Sequence, residues 1–325
     1  MSGGSGQAVA VAHPNVALSK YWGKRPGPGR FPAVPSLSVT LAGLQTRTQV
    51  RFGGGGTADR VVLNGRELTP AESARHIALL DAVRRSAGLR EWADVASRND
   101  FPTASGLASS ASGFAALALA AVRAAGLDWG AARVSALARS ASVSAARSVF
   151  GGFVELPVGE ACARLVAPPS RLPLVVLVCI TAEGPKAVGS TDGMRRTLDR
   201  SPFAAAWLAH APGLHEALRA SLLAGDFEGV GERAEASALA MHASAIAAGV
   251  VYWNGATLEA LSAVQALRTG GTPAYASIDA GPHVKVLVRP ADAARARAAL
   301  EGVAGVTRVL EARPGEGARL VTEEP

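Results

Sequence analysis

Four stretches of this chain combine residue types that can do chemistry. The first runs Asn99-Asp-Phe-Pro-Thr-Ala-Ser-Gly-Leu-Ala-Ser-Ser-Ala-Ser-Gly113. Its proline favours extended backbone just before it, and an apolar helix pattern follows over 114–125. Small residues ahead of a helix let an anion reach the free N–H groups of its first turn, where the dipole amounts to roughly half a positive charge. Serine hydroxyls add donors and can help to place a metal ion. Taken alone, the stretch fits a phosphate loop or an alanine- and serine-rich lead into a core helix. It is neither a G-x-x-x-x-G-K-S/T loop nor a dinucleotide G-x-G-x-x-G.

The second stretch, His13 to Arg25, sets Lys20 and Lys24 beside Tyr21, Trp22 and Gly23. It suits an anionic ligand or nucleotide against aromatic walls, or else a basic surface turn. The third, Ser140 to Glu155, carries Ser142, Ser144 and Arg147 ahead of Gly151-Gly152. A guanidinium beside hydroxyls can hold a carboxylate or phosphate at two points; a serine-rich helix end with a glycine turn is the plainer reading. The fourth is Asp279, between a strand end and Gly281-Pro282. It is either an acid held on rigid backbone with room beside it for substrate, or the cap of a turn. His242, in an apolar helix face, reads as a core histidine.

Strands and helices have to hold these groups. Strands are expected at residues 8–12, Ser36–Leu41 (half-buried, with a hydroxyl face), Thr46–Phe52 and Arg60–Leu63, the last closing on an Asn64-Gly65 hairpin. Thr69-Pro70-Ala71-Glu72 starts a helix, with Arg75 in its first turn and Ile77, Leu79, Leu80 and Val83 inward. Trp92–Ser97 is a strand and Trp129–Ser140 a helix. Cys162–Val166 and Leu172–Thr181 read as central strands that bury both cysteines, and Lys186–Arg196 as a polar loop. Helices follow at 203–220, 226–247, 255–269 and 291–300, and strands at Tyr275–Ile278, Val284–Val288 and 306–312. A break near Glu183-Gly184-Pro185 divides the chain into 1–184 and 185–325. The class is α+β.

Composition narrows the partners. In 325 residues, 49% are hydrophobic and only 5% aromatic, so the core must be built from Ala, Val and Leu. The net charge is +7, but the arginines are scattered, and a nucleic-acid reader would cluster them. Salt-sensitive RNA binding is therefore a remote alternative, and anionic small molecules fit better. Two cysteines make no disulfide framework. The opening residues lack a secretory pattern and no apolar run is long enough to span a bilayer. The expectation is a cytoplasmic protein without membrane or nucleic-acid partners.

In order and spacing, Asn15–Lys24 with the Ser36–Leu41 strand, Asn99–Gly113, Ser142–Phe153 and Asp279–Pro282 resemble the diphosphomevalonate decarboxylases of the GHMP kinase superfamily. Ser190–Met194, Met241-His242 and Tyr252-Trp253-Asn254 resemble them more weakly. The resemblance implies a two-domain GHMP-kinase fold, with a ribosomal-protein-like nucleotide domain and a ferredoxin-like domain that supplies an essential aspartate, here Asp279. It implies MgATP-driven phosphorylation of the 3-hydroxyl of mevalonate 5-diphosphate, then loss of phosphate and CO2. Relatives act on the monophosphate, or only phosphorylate mevalonate. The resemblance makes Asp279, Arg147 and Lys20 catalytic. It gives the substrate Tyr21, Trp22, Gly23, Lys24, Arg75, Ser142, Ser144, Arg147, Thr191 and Met194. It gives ATP Pro102, Ser105, Gly106, Leu107, Ala108, Ser109 and Ser110, with Ser110 at the Mg2+, and it implies a homodimer. The chain departs from the family at Val34-Pro35, where Asn-Ser is usual, at His283 and at Asp100, both usually asparagine.

Overall fold

The computed structural model describes residues 6–25, 27, 31–101, 109–184 and 187–322. Strands β1 (Gln7–Ala12), β2 (Asn15–Ser19), β3 (Ser36–Ala42), β4 (Thr46–Phe52), β5 (Arg60–Leu63) and β6 (Arg66–Glu67) lead to helix α1 (Pro70–Ala87). Then come β7 (Ala93–Asn99), α2 (Ser109–Ala124), α3 (Ala131–Ala141), α4 (Ala145–Ser148), β8 (Phe153–Leu156), β9 (Arg164–Ala167) and β10 (Val175–Ile180). Helices α5 (Ser190–Arg200), α6 (Ala204–Ala224), α7 (Phe227–Ala247) and α8 (Gly255–Thr269) precede β11 (Ala274–Ile278), β12 (Val284–Val288), α9 (Ala293–Glu301), β13 (Arg308–Pro314) and β14 (Arg319–Val321).

Local chemistry sets several boundaries. Asn64 and Gly65 both take positive φ, 51° and 81°, which is what a two-residue turn between β5 and β6 requires. Thr69 caps α1: its side chain accepts from the Glu72 N–H, and the Glu72 carboxylate accepts from the Thr69 N–H. Gly88, in the left-handed region, ends the helix.

Two sheets result. Six strands run in the order β14-β1-β4-β7-β5-β6, and eight in the order β11-β12-β10-β13-β3-β8-β9 with β2 paired to β3. The alanines of α2 let that helix lie close on β1 and β4, in a core with Val50, Val95, Leu80 and Leu117. In β10, alternate residues serve two cores. Val176 and Val178 meet α6 and α7 through Leu218, Leu222 and Val230; Val175 and Leu177 face Val264 of α8 and Leu300 of α9. Helix α7 also lies across both β2 and β11, so it brings an early strand beside a late one.

Several expectations need correction. Residues 190–196 of the Lys186–Arg196 stretch, read as a polar loop, belong to helix α5; one face of that helix carries Met194 and Thr197 into the interior, a pattern that short polar residues disguise. Strand β3 is buried on both faces, because its hydroxyl face is covered by Arg147. Cys179 is buried, but Cys162 is half-buried and precedes β9, an edge strand. Arg75 lies in the second turn of α1. The chain does not end on β13, since β14 turns back to pair with β1. Strand β10, before the 184/185 break, pairs with β12 and β13 after it. Of the Asn99–Gly113 stretch, residues 102–108, including Pro102, Ser105, Gly106, Leu107 and Ala108, lie outside the described residues.

Candidate active site

A cavity of about 580 Å³ opens where β2, α4, α5 and the turn after β11 meet. Lys20, Arg147, Lys24, Ser142, Ser144 and Asp279 all line it, so three distant stretches converge here. Tyr21, Trp22, Arg75, Thr191, Met194 and, from the Asn99–Gly113 stretch, Ser110 also line it. A smaller cavity of about 200 Å³ lies between β4, β7 and α2. Arg75 and Ser110 line both, and so mark the place where the two spaces adjoin.

The centre of the site is an acid between two amines. Lys20 follows β2; its N–H donates to Ser237 Oγ on α7 (2.9 Å), which fixes the backbone. Its ammonium, 2% exposed, donates to Asp279 Oδ1 (2.7 Å), Ser277 Oγ (2.7 Å) and Ala17 O (2.8 Å). Lys285 Nζ, 1% exposed, stands 3.4 Å from Asp279 Oδ2. Burial pushes the Lys20 amine down to about 8, opposed by Asp279 and reinforced by the like charges of Lys285 and Arg147. Burial raises the Asp279 carboxyl, but the two lysines outweigh it and hold it well below the usual carboxylate range.

Arg147 is just as buried. Its Nε donates to Ser38 Oγ (3.0 Å), Nη1 to Ser36 Oγ (2.8 Å) and Nη2 to Asn15 Oδ1 (3.4 Å). A guanidinium has more N–H donors than these bonds use, and Arg147 lines the cavity. Burial lowers it to about 10, partly offset by Asp279 and Tyr21. Burying an ion costs several kcal/mol, and a structural pair repays this by balancing charge. Here two ammoniums and a guanidinium share one carboxylate. The excess positive charge makes sense for a site completed by an anion.

The aromatic pair does more than flank the lysines. Trp22 is 1% exposed, its Nε1 donating to Thr197 Oγ1 of α5 (3.1 Å), and its carbonyl accepts from Trp207 Nε1 (2.7 Å). It is the joint on which α5 is seated. Gly23 takes φ +117°, open to glycine but strained for other residues. Lys24 Nζ donates to Thr191 Oγ1 at 2.9 Å. Arg75 lies over the Phe114 ring at 5.0 Å and reaches Ala141 O at 3.5 Å. Ser109 and Ser110 open α2. His242 is wholly buried and its ring packs on Trp253, 5.0 Å away.

The departures have structural work. Val34 is fully buried beside Trp22, Asp100 Oδ1 accepts from the Gln45 N–H (2.7 Å), and buried His283 Nδ1 accepts from the Thr181 N–H (3.2 Å). Sequence reasoning passed over Lys285 and Ser277. A lysine inside the run Val-Lys-Val-Leu-Val was the available signal.

A diphosphomevalonate decarboxylase-like N-terminal domain matches residues 12–167, and a mevalonate 5-diphosphate decarboxylase C-terminal domain matches 176–314. The phosphomevalonate decarboxylase of Haloferax volcanii is 35% identical over 283 residues, 86% of this chain and 87% of its own. The diphosphomevalonate decarboxylase of Ganoderma lucidum is 33% identical, over 86% of this chain and 78% of its own. The chain belongs to the diphosphomevalonate decarboxylase family. Solved decarboxylases agree in fold. The mevalonate diphosphate decarboxylase of Staphylococcus aureus, 32% identical, superposes with a TM-score of 0.91 over 98% of this chain and 99% of its own. A complex described as MDDEF with MVAPP, AMPPCP and magnesium gives 0.91 at 36% identity, over 98% and 100%. This decarboxylase-family chain thus has the two-domain GHMP-kinase architecture.

Proposed function

We propose that this chain is an ATP-dependent decarboxylase that converts mevalonate 5-diphosphate to isopentenyl diphosphate, ADP, phosphate and CO2. The observation that carries the reading is the convergence of Asp279, Lys20 and Arg147 on one positively charged cavity. Arg147, Ser142 and Ser144 hold the substrate's carboxylate and diphosphate. Lys24, Tyr21, Arg75, Thr191 and Met194 close around the rest, with Trp22 shaping the wall; Gly23 does not line the cavity and turns the chain between Trp22 and Lys24. The smaller cavity takes the nucleotide base, and the γ-phosphate reaches the larger one beside Ser110 and Arg75. The 102–108 stretch would complete the phosphate cradle.

A magnesium ion fits this arrangement. No group of three or more His, Cys, Asp or Glu is gathered to hold a metal among the described residues. Magnesium bound mainly by phosphate oxygens and water needs no such cage, and the Ser110 hydroxyl at the junction can supply one ligand. When bound, the ion neutralises charge on the transferring phosphoryl group.

The residues then divide the reaction between them. Asp279, fixed by the lysines, orients the tertiary 3-hydroxyl towards the γ-phosphorus. The new O–P bond forms as the bond to ADP breaks, and the hydroxyl proton passes to the Asp279 carboxylate, the acceptor of the Asp279–Lys20 pair. Next the C3–O bond breaks with its electrons on phosphate. The electrons of the carboxylate's C–C bond become the new double bond, and CO2 departs. Arg147 keeps that bond aligned, and the Asp279 carboxylate faces the positive charge that develops at C3.

The second reading is a decarboxylase of mevalonate 5-phosphate, favoured by the Haloferax volcanii relative; 3-phosphorylation of mevalonate without decarboxylation is a third outcome. Purified protein with MgATP is assayed on the three substrates. Release of CO2, phosphate and ADP fastest on the diphosphate is expected; no CO2 from either phosphorylated substrate at saturation would overturn the reading. We further propose a cytoplasmic homodimer. No helix among the described residues is long and apolar enough to cross a membrane. Light scattering and cell fractionation test the two claims.

A further inference from the structure

Lys285 is an unusual occupant of its strand. Every residue of β12 is buried, and the other four are apolar. In register Lys285 stands opposite Ser277 on β11 and Val178 on β10, so Lys285 and Ser277 leave the sheet on the same face. That face meets Lys20, which donates to Ser277 Oγ. Lys285 Nζ reaches the His283 carbonyl at 3.3 Å and Asp279 Oδ2 at 3.4 Å, while Lys20 occupies Oδ1. A valine there would continue the core and spare the desolvation of an ammonium.

We propose that Lys285 is a positioning residue for Asp279: it holds Oδ2 while Lys20 holds Oδ1, so that the carboxylate is kept ionised and its plane is fixed towards the cavity. The role deepens the decarboxylase reading and rests on it for the kinetic consequence only. The groups facing the lysine pair come from several elements: Asp279, Arg147 of α4, His242 of α7, His283 before β12 and Cys179 of β10. Burial pushes both imidazoles down to about 4 and the thiol up to about 12, so all three are neutral near pH 7. The charges that respond to Lys285 are therefore Asp279, Lys20 and Arg147. Of these, Lys20 titrates in an accessible range, at about 8.

The chain has four lysines, Lys20, Lys24, Lys186 and Lys285, so protein labelled with 13C at the lysine ε-carbon gives a spectrum simple enough to assign by single substitutions. In substrate-free Lys285→Met, the Lys20 midpoint is expected to rise by roughly one pH unit, because a like charge has gone. A midpoint equal to that of the wild type overturns the proposal. If the variant does not fold, the wild type decides, since a Lys285 signal typical of a neutral amine at pH 7 is incompatible with the role. In turnover, Lys285→Met should lower kcat roughly ten- to a hundredfold with KM within about twofold. The alkaline limb of its rate profile should move up with Lys20, and Lys285→Arg should return the limb to its original place. A profile merely scaled down, with unmoved limbs, marks a structural residue and sinks the proposal. Should the wild type turn over none of the three mevalonate substrates, the decarboxylase reading fails, while the Lys20 midpoint still decides whether Lys285 acts on the Asp279 cluster.

Discussion

A carboxylate pinned by two buried ammoniums is a weak base but a well-aimed one. The hydrogen bonds on Asp279 fix its oxygens, so it contributes orientation, charge facing the reacting carbon and an acceptor for the hydroxyl proton. Asp279→Asn keeps the shape and removes the charge. We expect kcat to fall by about 10²–10⁴, while nucleotide affinity stays within roughly twofold; rapid-quench turnover and nucleotide titration check the pair of outcomes. Asp279 stood out in the sequence because a lone acid precedes a Gly-Pro turn, and Arg147 because serines precede it. Lys285 did not, since period-two reading treats an inward lysine as noise. Nor did Ser36 and Ser38 reveal their ligand: hydroxyls on a strand face say nothing of the arginine, more than a hundred positions away, that they hold.

At the scale of elements, α5 shows how a site wall is seated. Its Gly193 packs where a Cβ would come 2.3 Å from Tyr252 Oη and 3.1 Å from the Trp22 ring. Neither ring can yield, because both are buried. Gly193→Ala should cost about 1–3 kcal/mol, seen as a lower denaturation midpoint. It should also raise KM more than it lowers kcat, because Thr191 and Met194 ride on this helix. A second joint links β2, β8 and α6. Ser19 Oγ lies 2.9 Å from His215 Nδ1, whose Nε2 lies 3.2 Å from Glu155 Oε2; Arg164 also pairs with Glu155. Burial pushes the Glu155 carboxyl up, but bonds from His215 and Arg164 outweigh it and hold it at about 2. A carboxyl whose folded value lies below its ordinary 4.5 stabilises fully above that pH and loses the contribution as pH falls towards 2. Discounted for the exposed Arg164, this is about 2 kcal/mol. Glu155→Gln should flatten the loss of stability between pH 4.5 and 2 in chemical denaturation series.

For the whole molecule, topology ties the ends of the chain to one sheet. Strand β14 pairs with β1 at Val9, Ala10 and Val11, so the last residues complete a sheet that the first residues begin. Removing residues 315–325 bares the β1 edge and the core beneath it. The thermal midpoint should drop by roughly 5 °C or more, with added self-association from the open edge. An unchanged midpoint in calorimetry would mean that β14 is an ornament. The sequence, read alone, contained the α+β class, most strands and helices, the hairpin at Asn64-Gly65, the cap at Thr69 and the four stretches that can do chemistry, because each is written in local periodicity or in adjacent residue types. It could not contain what depends on who packs against whom. Helix α5 forms from residues that look like a loop because Trp22 and Tyr252 receive its inner face. Asp279 is ionised because two lysines, one just after β2 and one in β12, close on it. The cavity exists because α7 lays an early strand against a late one, and proximity of that kind is decided only by the packing of the folded chain.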